Sequence, residues 1–119
     1  MKLSCTSVML PRWTLDETFD KLAAYGYDGV ELRCRYNLEG GGEPAFWGHH
    51  RSDVSPDNVV EKAAQIRAAA ARSGVQVVAL APNCLLHETE LVHKLFKGAV
   101  ALDPEQPPMV RIGAPKYEH

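Results

Sequence analysis

The chain has 119 residues, and 13 Lys and Arg against 15 Asp and Glu leave a net charge of −2. Its length allows one domain with a real core, and hydrophobic and charged fractions of 45% and 24% are those of a globular protein rather than a disordered one. The charge balance argues against a dedicated binder of nucleic acid or anionic membranes, no stretch approaches the ~18 apolar residues of a membrane span, and the polar N-terminus does not read as a signal peptide.

Residues 3–8 are apolar and β-prone and form the first expected strand, which Pro11 and Arg12 end. Thr14 then caps a helix, with Glu17 three residues on to complete a capping box and Asp16 at the positive end of the dipole. Leu15, Phe19, Leu22 and Ala23 share one face of that helix, and Gly26 stops it. Residues 29–33 are the second strand. A long loop, 34–54, follows, and it carries Gly40-Gly41-Gly42, Pro44, Phe46, Trp47, His49 and His50. Loops of that length in compact domains are usually functional or mobile. Ser55-Pro56 has the form of an N-cap and first helical residue, with Val59, Val60, Ala63, Ile66 and Ala70 as the apolar stripe and Gly74 as the stop. Residues 75–81 form the most apolar strand, as expected of a parallel strand covered on both faces. Pro82-Asn83 breaks it. Residues 89–102 are the third helix, with Leu91, Leu95 and Val100 expected inside; Gly98 counts against this helix on propensity alone. Asp103 to Pro108 is a proline-rich loop, residues 109–112 are the fourth strand, and Gly113-Ala114-Pro115 ends it. The order βαβαβαβ implies an α/β fold with a parallel sheet and right-handed crossovers.

Four segments carry a family resemblance: the opening strand, Tyr25-Gly26-Tyr27-Asp28-Gly29-Val30-Glu31-Leu32, Ser73-Gly74-Val75-Gln76-Val77, and Met109-Val110-Arg111-Ile112-Gly113. Together they resemble the xylose-isomerase-like barrels, the sugar and sugar phosphate isomerases and epimerases related to endonuclease IV type repair enzymes. The resemblance implies the N-terminal half of a (β/α)8 TIM barrel, since a full barrel needs about 250 residues. It implies a metal-dependent proton or hydride shift on a sugar or sugar phosphate, with Mn, Mg, Co or Zn as the family's divalent cofactor. The Glu, Asp, His and Glu metal ligands of the family lie on later strands, so this chain alone is expected to hold no metal and to be a truncated enzyme. It departs from the family at Asp103-Pro104-Glu105-Gln106-Pro107-Pro108, where members have small residues.

Strand alternation selects the candidate residues independently of any family. With Val30 and Leu32 facing the helices, Glu31 and Arg33 point the other way, as do Arg111 between Val110 and Ile112, and Ser4 and Thr6 about Cys5. A structural barrel interior prefers Val, Ile and Leu there, so these polar groups mark either a site or a Glu31–Arg111 ion pair. Glu31 is the candidate acid/base; Arg33 and Arg111 are candidates to hold a hydroxyl, carboxylate or phosphate. Trp47, with Phe46, either stacks on a sugar ring or anchors the loop. His49 and His50 read first as a solvated pair and second as substrate contacts, and Asn83 as a substrate contact or a turn cap. Cys5, Cys34 and Cys84 match no zinc pattern, and free thiols in a reducing cytoplasm are the expectation. His87 and His93 are surface groups, and the glycine triplet lacks the Lys-Ser/Thr of a phosphate loop.

The alternatives are a non-catalytic half-barrel fragment and a flavodoxin-like module that binds a small ligand beyond the strand ends; DNA repair is weaker. Strand order separates them: 1-2-3-4 for the half-barrel, strand one inside the sheet for the doubly wound form. Open edges at strands one and four lead to an expectation of self-association.

Overall fold

The computed structural model of the chain describes residues 1–36 and 42–114; Gly40, Gly41 and Pro115 of the motifs above lie outside the described residues. Thr14 opens helix α1, Leu15–Ala24, by accepting a hydrogen bond from Glu17 N at 3.3 Å. The Glu17 carboxylate returns to the Thr14 hydroxyl, at 3.2 Å, instead of to the backbone N–H of the usual capping box. Gly26 ends α1 with φ of 84°, a left-handed conformation that glycine adopts without strain. Asp28 then ties the strand starts together: its carboxylate accepts from Leu3 N, its N–H donates to Leu3 O, and its carbonyl accepts from Gln76 N.

Four parallel strands follow one another in space as in sequence: β1 (Ser4–Thr6), β2 (Gly29–Arg33), β3 (Gln76–Ala81) and β4 (Met109–Val110). Strand one is therefore an edge, and the doubly wound order is excluded. Helices α2 (Val59–Ser73) and α3 (Thr89–Leu102) complete the alternation. This is the arrangement of the first four strands of a (β/α)8 barrel. β1 and β4 are shorter than expected. In β1 the Thr6 hydroxyl accepts from Val8 N, and residues Ser7–Met9 turn into a 3-10 helix.

Ser55-Pro56 does not start α2. The Asn58 side chain accepts from Ser55 N at 2.8 Å while Asn58 N and Val59 N donate back to Ser55 O, so residues 55–58 form a turn and the helix begins at Val59. Proline suits both settings, because either one leaves its missing N–H unused.

A single apolar core lies between the helices and one sheet face. It joins Phe19 and Leu22 of α1, Val30 and Leu32 of β2, Ile66 and Ala69 of α2, Leu80 of β3, and Leu95 and Ala99 of α3. Burying each of the larger side chains contributes about 1.5–3 kcal/mol. Val60 and Val100 belong to the expected buried stripes but are exposed. Val59 takes the inward position of α2, and a 100° step carries Val60 to solvent. The register slips by one residue between β2 and β3, so that Val30 pairs with Val77 and Glu31 with Ala79. Through this bulge both Val77 and Leu80 pack on the helix side.

The opposite face carries Thr6, Glu31, Ala79 and Met109 in one cross-strand row. Along this row exposure differs, with Ala79 buried and Met109 70% exposed.

Gly98 is explained by packing. A Cβ there would lie 2.5 Å from Val59 Cγ1, so glycine is what allows α3 to approach α2. On propensity alone Gly98→Ala gains ~1 kcal/mol. We expect the opposite, a loss of about 1–3 kcal/mol from overpacking, read as a lowered urea midpoint and partly restored by Val59→Ala in the double variant. A raised midpoint for the single variant would contradict the contact.

Candidate functional site at the carboxyl end of strand two

Backbone hydrogen bonds carry the chain straight on past β2. Arg33 N donates to Ser7 Oγ at 2.7 Å, Cys34 N to Ala81 O at 3.1 Å and Arg35 N to Val54 O at 3.0 Å. The strand's alternation places the Arg33 side chain away from the helices, yet it is only 4% exposed. Segment 42–50 folds over it, and Arg33 Nη2 donates to Gly48 O at 2.9 Å. Arg51 N holds the end of this segment to Pro11 O. Arg33 Nε and Nη1 are buried with no hydrogen-bond partner, and no carboxylate of the described residues forms an ion pair with the guanidinium. Burial lowers the Arg33 pKa, and the neighbouring Arg35 charge lowers it further.

His50 corrects the reading of a solvated histidine pair. It is 1% exposed, with Nε2 at 3.1 Å from Phe46 O, whereas His49 is half-buried. Burial lowers the His50 pKa; the Phe46 carbonyl opposes that shift, and Arg33, Arg35 and His49 add to it. Two adjacent residues thus have different environments because the loop turns back over β2.

Trp47 is exposed and forms an edge-on pair with Phe46, ring centroids 4.4 Å apart. The Arg35 guanidinium lies 5.6 Å from the Trp47 ring centroid. A cleft of about 180 Å³ opens here, lined by Arg33, Arg35, Tyr36, Trp47, Pro82 and Asn83. The far rim is tied by Asp57, whose carboxylate accepts from Lys94 Nζ at 2.6 Å and from Tyr36 OH at 3.3 Å. The Lys94 hydrogen bond lowers the Asp57 pKa; burial first and Asp57 second raise that of Tyr36.

Of the candidates from sequence, Arg33, Trp47 and Asn83 come together in this cleft, and His50 is buried near enough to feel the Arg33 charge. Glu31 and Arg111 lie apart from it, joined as an ion pair on the open sheet face, with side-chain exposures of 22% and 68%. His49 does not line the cleft. Arg35 and Tyr36 were not among the candidates. The signal for Arg35 was present, since Arg33-Cys34-Arg35 continues the alternation of β2 past its end. Among the described residues no three or more His, Cys, Asp or Glu side chains form a group able to hold a metal ion. Cys34 and Cys84 are buried and Cys5 half-buried, all as free thiols, and burial pushes the Cys34 thiol up to about 12.

The fold and this geometry define an α/β protein with an arginine-rich cleft at its strand ends. No protein-family model matches the chain, and no curated protein or solved structure matches it. Among the described residues no helix is long and apolar enough to cross a membrane.

The His50 environment has a pH signature. Its pKa is lowered in the folded state, so the unfolded chain binds the extra proton first, and folding stability falls as pH drops below the ordinary histidine value of about 6.5. We expect a melting temperature that declines from about pH 7 to about pH 5.5, and declines less in His50→Gln than in His49→Gln. Equal slopes in the two variants would place His50 in water.

Proposed function

We propose that this chain is the substrate-holding half of a carbohydrate isomerase or epimerase barrel, binding a sugar or sugar phosphate across the carboxyl ends of its strands. The observation that supports this most is the chemistry of the uncovered sheet face and its cleft. Glu31 and Arg111 stand where a structural barrel would place aliphatic side chains, and the separate cleft carries an exposed indole, Trp47. An indole face is a suitable platform for the C–H face of a sugar ring. The resemblance of the Tyr25–Leu32 segment to xylose-isomerase-like barrels points the same way.

In this reading Arg111, being largely exposed, turns from Glu31 to a substrate oxygen. The released carboxylate then accepts a proton from the carbon next to the carbonyl. Isomerisation returns it to the former carbonyl carbon while the neighbouring hydroxyl proton passes to the former carbonyl oxygen, and epimerisation ends with a proton on the opposite face of the same carbon. The divalent ion that the resemblance implies finds no fitting donor set among the described residues, and Glu31 is engaged by Arg111. The same pairing favours a second reading, a ligand-binding module without turnover.

The test follows exchange of substrate C–H for deuterium by NMR, in D2O with a panel of aldoses, ketoses and their phosphates, with and without manganese. We expect exchange on one member of the panel and a loss of at least ~100-fold in Glu31→Gln. Binding without exchange would support the module, and neither binding nor exchange would remove the carbohydrate reading.

A further inference from the structure

A guanidinium has five N–H donors and no acceptor, and it remains charged when buried. At Arg33 the three N–H bonds on Nε and Nη1 have no partner, in a side chain that is 4% exposed. Taking such a charge out of water without a counter-ion is strongly unfavourable. The surroundings add to that cost. Arg35 is close enough to raise the local positive potential, its own Nε is also buried without a partner, and the neighbouring His50 is no counter-ion. Pairs of arginines held this way against one wall of a cleft match what an oxyanion needs: several charge-assisted donors at fixed positions in a medium of low dielectric. The Trp47 ring beneath Arg35 fixes the second guanidinium in the same place.

We propose that Arg33 and Arg35 form an oxyanion subsite that takes the phosphoryl or carboxylate group of a ligand whose remainder lies in the cleft beside Trp47 and Asn83. The identity of that remainder as a sugar rests on the proposed function; the oxyanion does not. Nε and Nη1 of Arg33 are shielded from water and Gly48 O occupies Nη2, so in this proposal an anion reaches the guanidinium by displacing the 45–48 turn that carries that carbonyl. That turn is held by two backbone hydrogen bonds, Gly48 N to Ala45 O at 3.1 Å and Ala45 N to His49 O at 3.2 Å. Its movement exchanges the Gly48 carbonyl on Nη2 for an oxygen that carries full charge.

The test is calorimetric titration of the full chain with five probes: inorganic phosphate, acetate, D-glucose, D-glucuronate and D-glucose 6-phosphate. It is repeated on Arg33→Met, Arg35→Met and, as a remote control, Arg12→Met, which removes an exposed ion pair with Glu43. Circular dichroism checks each fold, and the Nε–H resonances of the unaltered chain report contact should Arg33→Met fail to fold. We expect one anionic sugar to bind at least tenfold tighter than glucose. That difference should vanish in Arg33→Met, fall in Arg35→Met and persist in Arg12→Met. The tighter of the two anionic sugars identifies phosphoryl or carboxylate as the group taken. Inorganic phosphate or acetate that binds and shifts the Arg33 Nε–H, with no added affinity from any sugar, upholds the subsite and removes the carbohydrate reading. Glucose binding as tightly as both anionic sugars upholds the carbohydrate reading and overturns the subsite, as does anion binding unchanged in both arginine variants.

Discussion

Burial of one guanidinium at the end of β2 organises the carboxyl side of this protein. The parallel pairing of β2 between β1 and β3 fixes where Arg33 sits, and the bond from its N–H to Ser7 Oγ fixes the backbone at that point. The alternation that sends Val30 and Leu32 into the core sends Glu31 and Arg33 the other way. Ala79 and Ala81 of β3 are small and buried alongside, leaving width for the long side chains. Gly48 supplies a carbonyl and His50 a buried ring, so the loop folds down onto the arginine instead of extending into water.

Much of this arrangement is legible in the sequence because it is local. The Thr14 cap, the Gly26 and Gly74 stops and the inward and outward residues of β2 follow from spacing. The βα alternation gives the parallel sheet but leaves open the strand order, for which the polar inward face was the signal. What was not legible depends on partners distant in the chain. Ser55-Pro56 reads as a helix start until the Asn58 side chain claims Ser55 N. Gly98 reads as a weak point in α3 until α2 places Val59 against it. His49 and His50 are indistinguishable in a polar, glycine-rich loop; what separates them is the fold of that loop over Arg33. Arg35 differs from these: its alternation with Arg33 is readable in the sequence, and what the sequence does not show is that the bond from Arg35 N to Val54 O keeps the backbone extended past the strand.

The candidate site has two neighbouring parts with different chemistry. The open sheet face holds an ion pair, Glu31 with Arg111, whose charges offset each other. The cleft beside it holds guanidinium groups that nothing among the described residues offsets. In an ordinary structural ion-pair network both would be neutralised. A surplus of positive charge kept dry is a cost in stability, of the kind proteins carry at places that bind. Burial is the main cause of the lowered pKa of His50, and the same surplus of positive charge lowers it further.

The central claim is that the buried Arg33 charge opposes folding when no anion is bound. Its direct measurement is the urea unfolding free energy of Arg33→Met against the unaltered chain, in a buffer free of phosphate, sulfate and carboxylates. Methionine keeps most of the side chain's length and apolar contact, and loses the charge and the Gly48 hydrogen bond. The account predicts an Arg33→Met protein at least as stable as the original, with the advantage shrinking as phosphate is added. A loss of about 3 kcal/mol or more in the anion-free buffer would contradict it, because breaking a satisfied buried ion pair costs that much.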